Sequence, residues 1–218
     1  MEMNRICKKW GAFLLACLLT LAALAGNVSW CVQAEESKTV TTENGIVLTY
    51  DVFTNGTVAI TGNTQPISGK LVIPQRVDGK QVTKVFGIGK EDELTYVEFP
   101  EGVTGISGFN DCGKLSQVVI PSSAEYFGEF TFRNTPWFSE KQAENPLVIL
   151  NATLLDGSAV AGDVRIPDGV TKINMRAFES AKNMKTVFIP ESINRIGWCA
   201  FLGCTLTDVY YSGTQEQW

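Results

Sequence analysis

Histidine is absent from the 218-residue chain. Without an imidazole the chain carries no His-containing triad, no histidine general acid/base and no histidine metal ligand. Gly-x-Ser-x-Gly turns, phosphate-binding glycine loops and metal-ligand clusters are also missing, and no cofactor is implied. Basic residues are few: 18 Lys and Arg stand against 23 Asp and Glu, a formal charge of −5. Glu2, Arg5, Lys8 and Lys9 contribute +2 of that, so the chain beyond its leader carries about −7. Nucleic acid and anionic membrane surfaces both call for clustered Lys and Arg, so the balance argues against them as partners. Cysteine is thin where a fold would need it. Cys7, Cys17 and Cys31 lie in the first 34 residues, which leaves Cys112, Cys199 and Cys204. Three is an odd number, too few for a disulfide framework and without zinc-ligand company. Cys112 and Cys204 stand where Ala181 stands in a parallel segment and read as small buried apolar residues. A Cys199–Cys204 bridge is the alternative.

An unbroken long apolar run starts at residue 10 (WGAFLLACLLTLAALA, 10–25), behind the positive Arg5, Lys8 and Lys9. With Val32, Gln33 and Ala34 at the cleavage positions, residues 1–34 read as a signal peptide cut after Ala34. The alternative is an uncleaved anchor, since residues 10–34 hold no charge. Residues 35–44, opening EESKTVTTE, read as a flexible N-terminus. Two β-rich runs follow, 46–53 (IVLTYDVF) and 57–61 (TVAIT), parted by Thr54, Asn55 and Gly56. They predict a hairpin cap within residues 45–70.

What the rest of the chain has is repetition. Aligned on the proline that ends each apolar strand (Pro74, Pro100, Pro121, Pro167, Pro190), the spacings are 26, 21, 46 and 23. The 46 is twice 23 and predicts a degenerate unit between Pro121 and Pro167. After each proline comes an apolar-x-x-apolar step: Val82 and Val85, Val103 and Ile106, Val170 and Ile173, Ile193 and Ile196. Ala124 and Phe127 fill it in the unit after Pro121. A phenylalanine follows at Phe132, Phe178 and Phe201, with Phe109 standing in for it in the shortest unit. Each unit closes on L-x-x-V-x-I, as in Leu94, Val97, Phe99 or Met184, Val187, Ile189. The last two apolar residues are two apart, so they share one face of an extended strand. A single unit cannot cover that face, and units of this length stack into a solenoid. Ile173, Phe178, Met184, Val187 and Ile189 are core positions of the best-preserved unit.

The recurring IP-x-x-V-x-x-I, followed by AF (Ala177, Phe178; Ala200, Phe201) and L-T-x-V (Leu94 to Val97; Leu206 to Val209), resembles the BspA-like leucine-rich repeat of secreted and surface proteins of bacteria. The resemblance covers residues 45–218. It implies a β-rich α/β solenoid of about five to six repeats of 21–26 residues over 71–218, capped by the N-terminal β-hairpin, with an insert in VDGK before Val82. It also implies adhesion to host proteins or other cells. Residues 136–162 are the irregular part, an insert or degenerate repeat, with a short hairpin around Asn151 and Ala152 and with Pro136, Trp137 and Phe138 packed on the solenoid rather than standing out as an aromatic knob. The closing phrase YYSGTQEQW stops just after a strand without a capping element, and the frame is expected to be truncated there.

Outward positions of the closing strands predict one ladder: Lys70 and Val72, Tyr96 and Glu98, Gln117 and Val119, Asp163 and Arg165, Thr186 and Phe188, Asp208 and Tyr210. Tyr96, Phe188 and Tyr210 are its candidate anchors. At any one of these residues, cross-strand support of the sheet is an equal reading. The function expected is a secreted or surface-exposed, non-catalytic module that binds a protein or glycan on a host or neighbouring cell, with no membrane contact beyond the signal segment. The sequence fixes no oligomeric state. One alternative is a structural spacer in a larger surface protein. Another is a hydrolase with paired carboxylates, but Glu98 and Asp208 would lie several layers apart at about 4.8 Å each, too far to cooperate. Glu91, Asp92 and Glu93 read as a solvated turn.

Overall fold

The computed structural model describes residues 38–218. The signal-peptide reading of residues 1–34 lies outside the described residues. Beyond it, part of the polar stretch expected to be flexible is extended: β1 (Lys38–Thr41) pairs antiparallel with β2 (Val47–Val52). β-branched Thr and Val favour that pairing, which the stretch's polarity concealed. β2 turns through Thr54, Asn55 and Gly56 into β3 (Val58–Asn63), the expected hairpin.

From β3 onward the chain winds in seven turns, each with two opposed edges. One edge carries the apolar-x-x-apolar steps: after β3 come β6 (Lys80–Ile88), β8 (Gly105–Gly108), β10 (Tyr126–Phe127), β12 (Thr153–Asp156), β14 (Lys172–Ile173) and β16 (Arg195–Ile196). The other carries the closing strands β4 (Ser68–Val72), β7 (Glu93–Glu98), β9 (Gln117–Val119), β13 (Gly162–Arg165), β15 (Met184–Ile189) and β17 (Asp208–Tyr211). Within each ladder neighbouring strands pair in parallel, as equivalent pieces of successive turns must, except at the fourth turn, where β10 does not pair with β12 and no strand joins β9 to β13. The hairpin's second strand is thus also the first turn. The VDGK insertion forms its own small hairpin, β5 (Arg76–Val77) on β6, with Asp78 and Gly79 both left-handed at the turn.

Inward rows fill the space between the ladders. Val82, Val85, Leu94, Val97, Val103, Ile106, Ile173, Phe178, Met184, Val187 and Ile189 are all buried, as the periodicity requires. Phe109 and Phe132 stack at 5.8 Å, with Phe99 edge-on to both. Phe178 and Phe201 stack at 5.1 Å in the last two turns. In the last turn the inward positions Ile196 and Val209 are exposed, since among the described residues no further turn packs on them.

The doubled spacing of 46 resolves into the fourth and fifth turns. In the fourth turn a helix, α1 (Pro136–Glu144), takes the place of a closing strand. Thr135 caps it, its hydroxyl accepting from Phe138 N at 3.1 Å, and Pro136 fits the first position, where no N–H is needed. Trp137 N donates to Leu115 O at 3.0 Å and its ring lies 5.1 Å from Phe132, so Trp137 and Phe138 are buried and form no knob. β11 (Val148–Leu150) and β12 make the expected short hairpin that opens the fifth turn.

The helix divides the core. One apolar cluster ends at Val148 and Leu155, and a second begins at Leu154 and Val160. Between them runs a polar seam. Buried Asp156 accepts from Gln142 Nε2 on α1 at 2.8 Å and from Ser158 Oγ at 3.0 Å, beside Arg133 at 3.7 Å. Arg176 pairs with Glu179 and approaches Glu129 to 2.7 Å, and Arg133 lies over the Phe130 ring at 3.9 Å.

Candidate functional site

The closing ladder brings the predicted residues into the expected cross-strand sets, but in two patches rather than one. Lys70, Tyr96 and Gln117 are in register, as are Val72, Glu98 and Val119. Asp163, Thr186 and Asp208 are in register, as are Arg165, Phe188 and Tyr210. No strand joins β9 to β13. The continuous face expected from the repeat is interrupted because Thr135 and Pro136 start a helix where strand pairing would continue.

The two patches differ in how far their side chains are committed. In the first, Tyr96 Oη donates to Glu98 Oε2 at 2.7 Å, while Lys70 Nζ lies 3.6 Å from that carboxylate and 4.3 Å above the Tyr96 ring. Tyr96 is half-buried in this triad, which fits sheet support better than an anchor. In the second, the Arg165 guanidinium lies 3.7 Å over Phe188, and Phe188 stacks on Tyr210 at 5.0 Å with the planes 11° apart. Tyr210 is 54% exposed and Asp208 is open beside it. This row ends in a flat aromatic face turned to solvent.

Four carboxylates are held below the usual range: Glu98, Glu101, Asp111 and Glu216. Glu98 is lowered first by the Tyr96 hydroxyl and then by Lys70, against some burial, and the same hydrogen bond raises Tyr96. Glu101 is lowered by the Ser122 backbone N–H at 2.9 Å, and Asp111 by the amides of Asn134 and Asn110. A carboxylate whose folded pKa is depressed stabilises the fold above its unfolded pKa and loses that contribution as pH falls through the folded value. The melting temperature should therefore stay level from pH 7 to 5 and fall progressively below about pH 4. A melting temperature that rises on acidification to pH 3 would contradict these assignments.

The acidic turn is only partly solvated. Asp92 and Glu93 are exposed, but Glu91 is buried, its carboxylate accepting from Ile67 N and Asn63 Nδ2, each at 2.7 Å. Sequence spacing held no sign of those two donors, which come from the preceding turn. Glu91 N in turn donates to Cys112 Sγ at 3.3 Å. Cys112, Cys199 and Cys204 are free thiols, so the Cys199–Cys204 bridge is not formed. Burial pushes the thiols of Cys112 and Cys204 up, and Cys204 Sγ donates to Phe178 O at 2.9 Å. Maleimide labelling of the native chain should modify Cys199 first and reach Cys112 only on unfolding, as read by peptide mass mapping. Fast native labelling of Cys112 would show that its turn opens.

A second surface lies on the step-strand edge. Lys84, Gly105 and Tyr126 share one register, and Thr153, Lys172 and Arg195 another, all immediately before the second apolar residue of the step. They line a groove of about 670 Å³ with Phe86 and Trp198. Gly105 forms its floor: a Cβ there would meet the Lys84 stem at 3.5 Å and Tyr126 at 3.8 Å. Tyr126 is 46% and Trp198 68% exposed. The signal was present in the sequence as the residue type at that one step position, but a period that marks inward residues gives no reason to prefer this edge.

Residues 90–144 and 104–217 match the BspA type leucine rich repeat region in six copies, over more than half of the chain. No curated protein sequence matches it. Among solved structures, a leucine rich repeat protein of T. pallidum is 21% identical with a TM-score of 0.43, over 71% of this chain and 64% of that one. The chain thus spans less than two thirds of that protein's length. A leucine rich cell surface protein of Faecalibacterium prausnitzii A2-165 is 16% identical with a TM-score of 0.27, over 82% and 77% of the two chains. The pneumococcal vaccine antigen PcpA is 13% identical with a TM-score of 0.37, over 81% and 50%.

Proposed function

We propose that this chain, which belongs to the BspA-type leucine-rich repeat family, is an exported or surface-displayed module that binds a protein or glycan of a cell surface without turning it over. The observation that carries the reading is the Arg165–Phe188–Tyr210 row, a cation and two parallel rings on neighbouring strands with the outer ring open. Such a row is rigid before contact, because each side chain is already ordered by its neighbour, so a partner docking on Tyr210 meets a small entropic penalty. Export is supported by the basic start and apolar run of residues 5–25. A non-catalytic role is supported by the lack of histidine and by the dispersal of carboxylates over separate turns.

A protein and glycan array probed with the purified chain tests this reading. Specific hits are expected, and they should be lost from a chain carrying Phe188→Ser and Tyr210→Ser. Tyr96→Ser, in the other patch, should leave them unchanged. An empty array with folded protein would overturn the binding reading.

A further inference from the structure

The groove on the step-strand edge has a net positive lining in a chain that is acidic as a whole. Lys84, Lys172 and Arg195 line it against one carboxylate, Glu125, whereas the whole chain carries −5. Glu125 lies 3.9 Å from Lys172 and offsets that cation alone. In such a chain three cations on one surface form the natural landing place for an anion. The step strands that carry them form two parallel sets, β6–β8–β10 and β12–β14–β16, each two spacings of about 4.8 Å across with a break between them, a row at least on the order of 20 Å long. That length suits a segment of polymer rather than a small ion.

The backbone in the groove narrows the choice of polymer. β10 pairs with β8 on one side and with no strand on the other. Its neighbouring carbonyls are taken by side chains: Asn151 Nδ2 donates to Pro121 O at 3.1 Å and Ala124 O at 2.7 Å, Lys172 Nζ to Glu125 O at 3.2 Å, and Asn174 Nδ2 to Gly128 O at 3.4 Å. An extended peptide arriving here finds these acceptors occupied, so strand addition gains little. What stays open is side-chain surface, namely Lys84, Arg195 and the exposed rings of Tyr126 and Trp198. A chain of sugar rings bearing carboxylates presents both complements: anionic groups for Lys and Arg, and C–H ring faces for the aromatic planes.

We propose that this groove binds a segment of uronic-acid polysaccharide. The proposal rests on the reading of the chain as a binding module but uses a different surface from the Arg165–Phe188–Tyr210 row. Calorimetric titration of the full chain with an oligogalacturonate at low salt should show binding that weakens as salt is raised. Lys84→Ala with Arg195→Ala should weaken it roughly tenfold or more. Trp198→Ala should weaken it independently, and Phe188→Ser with Tyr210→Ser should leave it unchanged. All five side chains in the groove and row variants are at least partly exposed, and retained melting temperatures would confirm that the variants fold. The proposal is overturned if the folded chain does not bind the oligogalacturonate or if a neutral oligoglucan binds equally well. It is also overturned if polyglutamate binds more tightly, or if the Lys84 and Arg195 variant binds like the parent. Loss of binding in the Phe188 and Tyr210 variant would instead move the glycan to the closing ladder.

Discussion

A Phe178→Ala chain is expected to lose about 3–5 kcal/mol of unfolding free energy, a large part of the 5–15 kcal/mol that holds a typical domain together. Phe178 is fully buried, stacks on Phe201 at 5.1 Å and fills the space over Gly157. A Cβ on Gly157 would lie 2.3 Å from Phe178 Cε1, so the glycine and the ring are complementary halves of one packing arrangement. Removing the ring leaves a void that Gly157 has no side chain to enter. Phe201→Ala, at a half-buried site in the last turn, should cost less. Urea unfolding of the two variants reads the difference, and a loss below about 1 kcal/mol for Phe178→Ala would mean the turns do not depend on each other through this column.

The second large effect belongs to the seam. Asp156→Ala should destabilise by roughly 2 kcal/mol, because it removes a buried acceptor from three half-buried donors. Gln142 Nε2 and Ser158 Oγ both donate to Asp156 Oδ2, and the Arg133 guanidinium, 3.7 Å from the same carboxylate, would keep only Glu179 at 3.9 Å. Since Gln142 sits on α1 and Asp156 on β12, the loss falls on the join between the two apolar clusters. The exposed pair Lys90–Asp92 makes the contrast: Asp92→Ala should change stability by less than about 0.5 kcal/mol. Equal effects at Asp156 and Asp92 would contradict the seam's role. Chemical denaturation with two probes, the tryptophan fluorescence to which Trp137 of α1 contributes and far-UV dichroism for the sheets, would also separate local from global loss.

Most of the fold was legible because its determinants are local and repeated. Val170, Ile173, Phe178, Met184, Val187 and Ile189 recur in type from unit to unit, and a period can be read without knowing which turn packs on which. The proline spacing even located the degenerate turn hidden between Pro121 and Pro167. What escaped were features that depend on one turn meeting another. Thr135 and Pro136 form an ordinary helix cap in a stretch that read only as irregular, and the binding ladder was drawn as continuous across it when it is two patches. Glu91 looked solvated beside Asp92 and Glu93, and its partners Asn63 and Ile67 come from the turn before. Tyr96 and Tyr210 were equivalent in sequence, yet only Tyr96 has a lysine and a glutamate within reach in its own patch. The step-strand groove gathers Lys84, Tyr126, Lys172 and Arg195 from turns of very different spacing, so its charge becomes visible only when the turns are stacked.

The most direct test of the binding reading is a side-by-side array measurement of the parent chain and the Phe188→Ser, Tyr210→Ser variant at matched concentration, with melting curves for both. The account predicts specific hits for the parent, loss by at least about tenfold in the variant of those hits other than uronic-acid glycans, and a variant that still unfolds cooperatively. A folded parent that binds nothing, or a folded variant that binds as well as its parent, would contradict it.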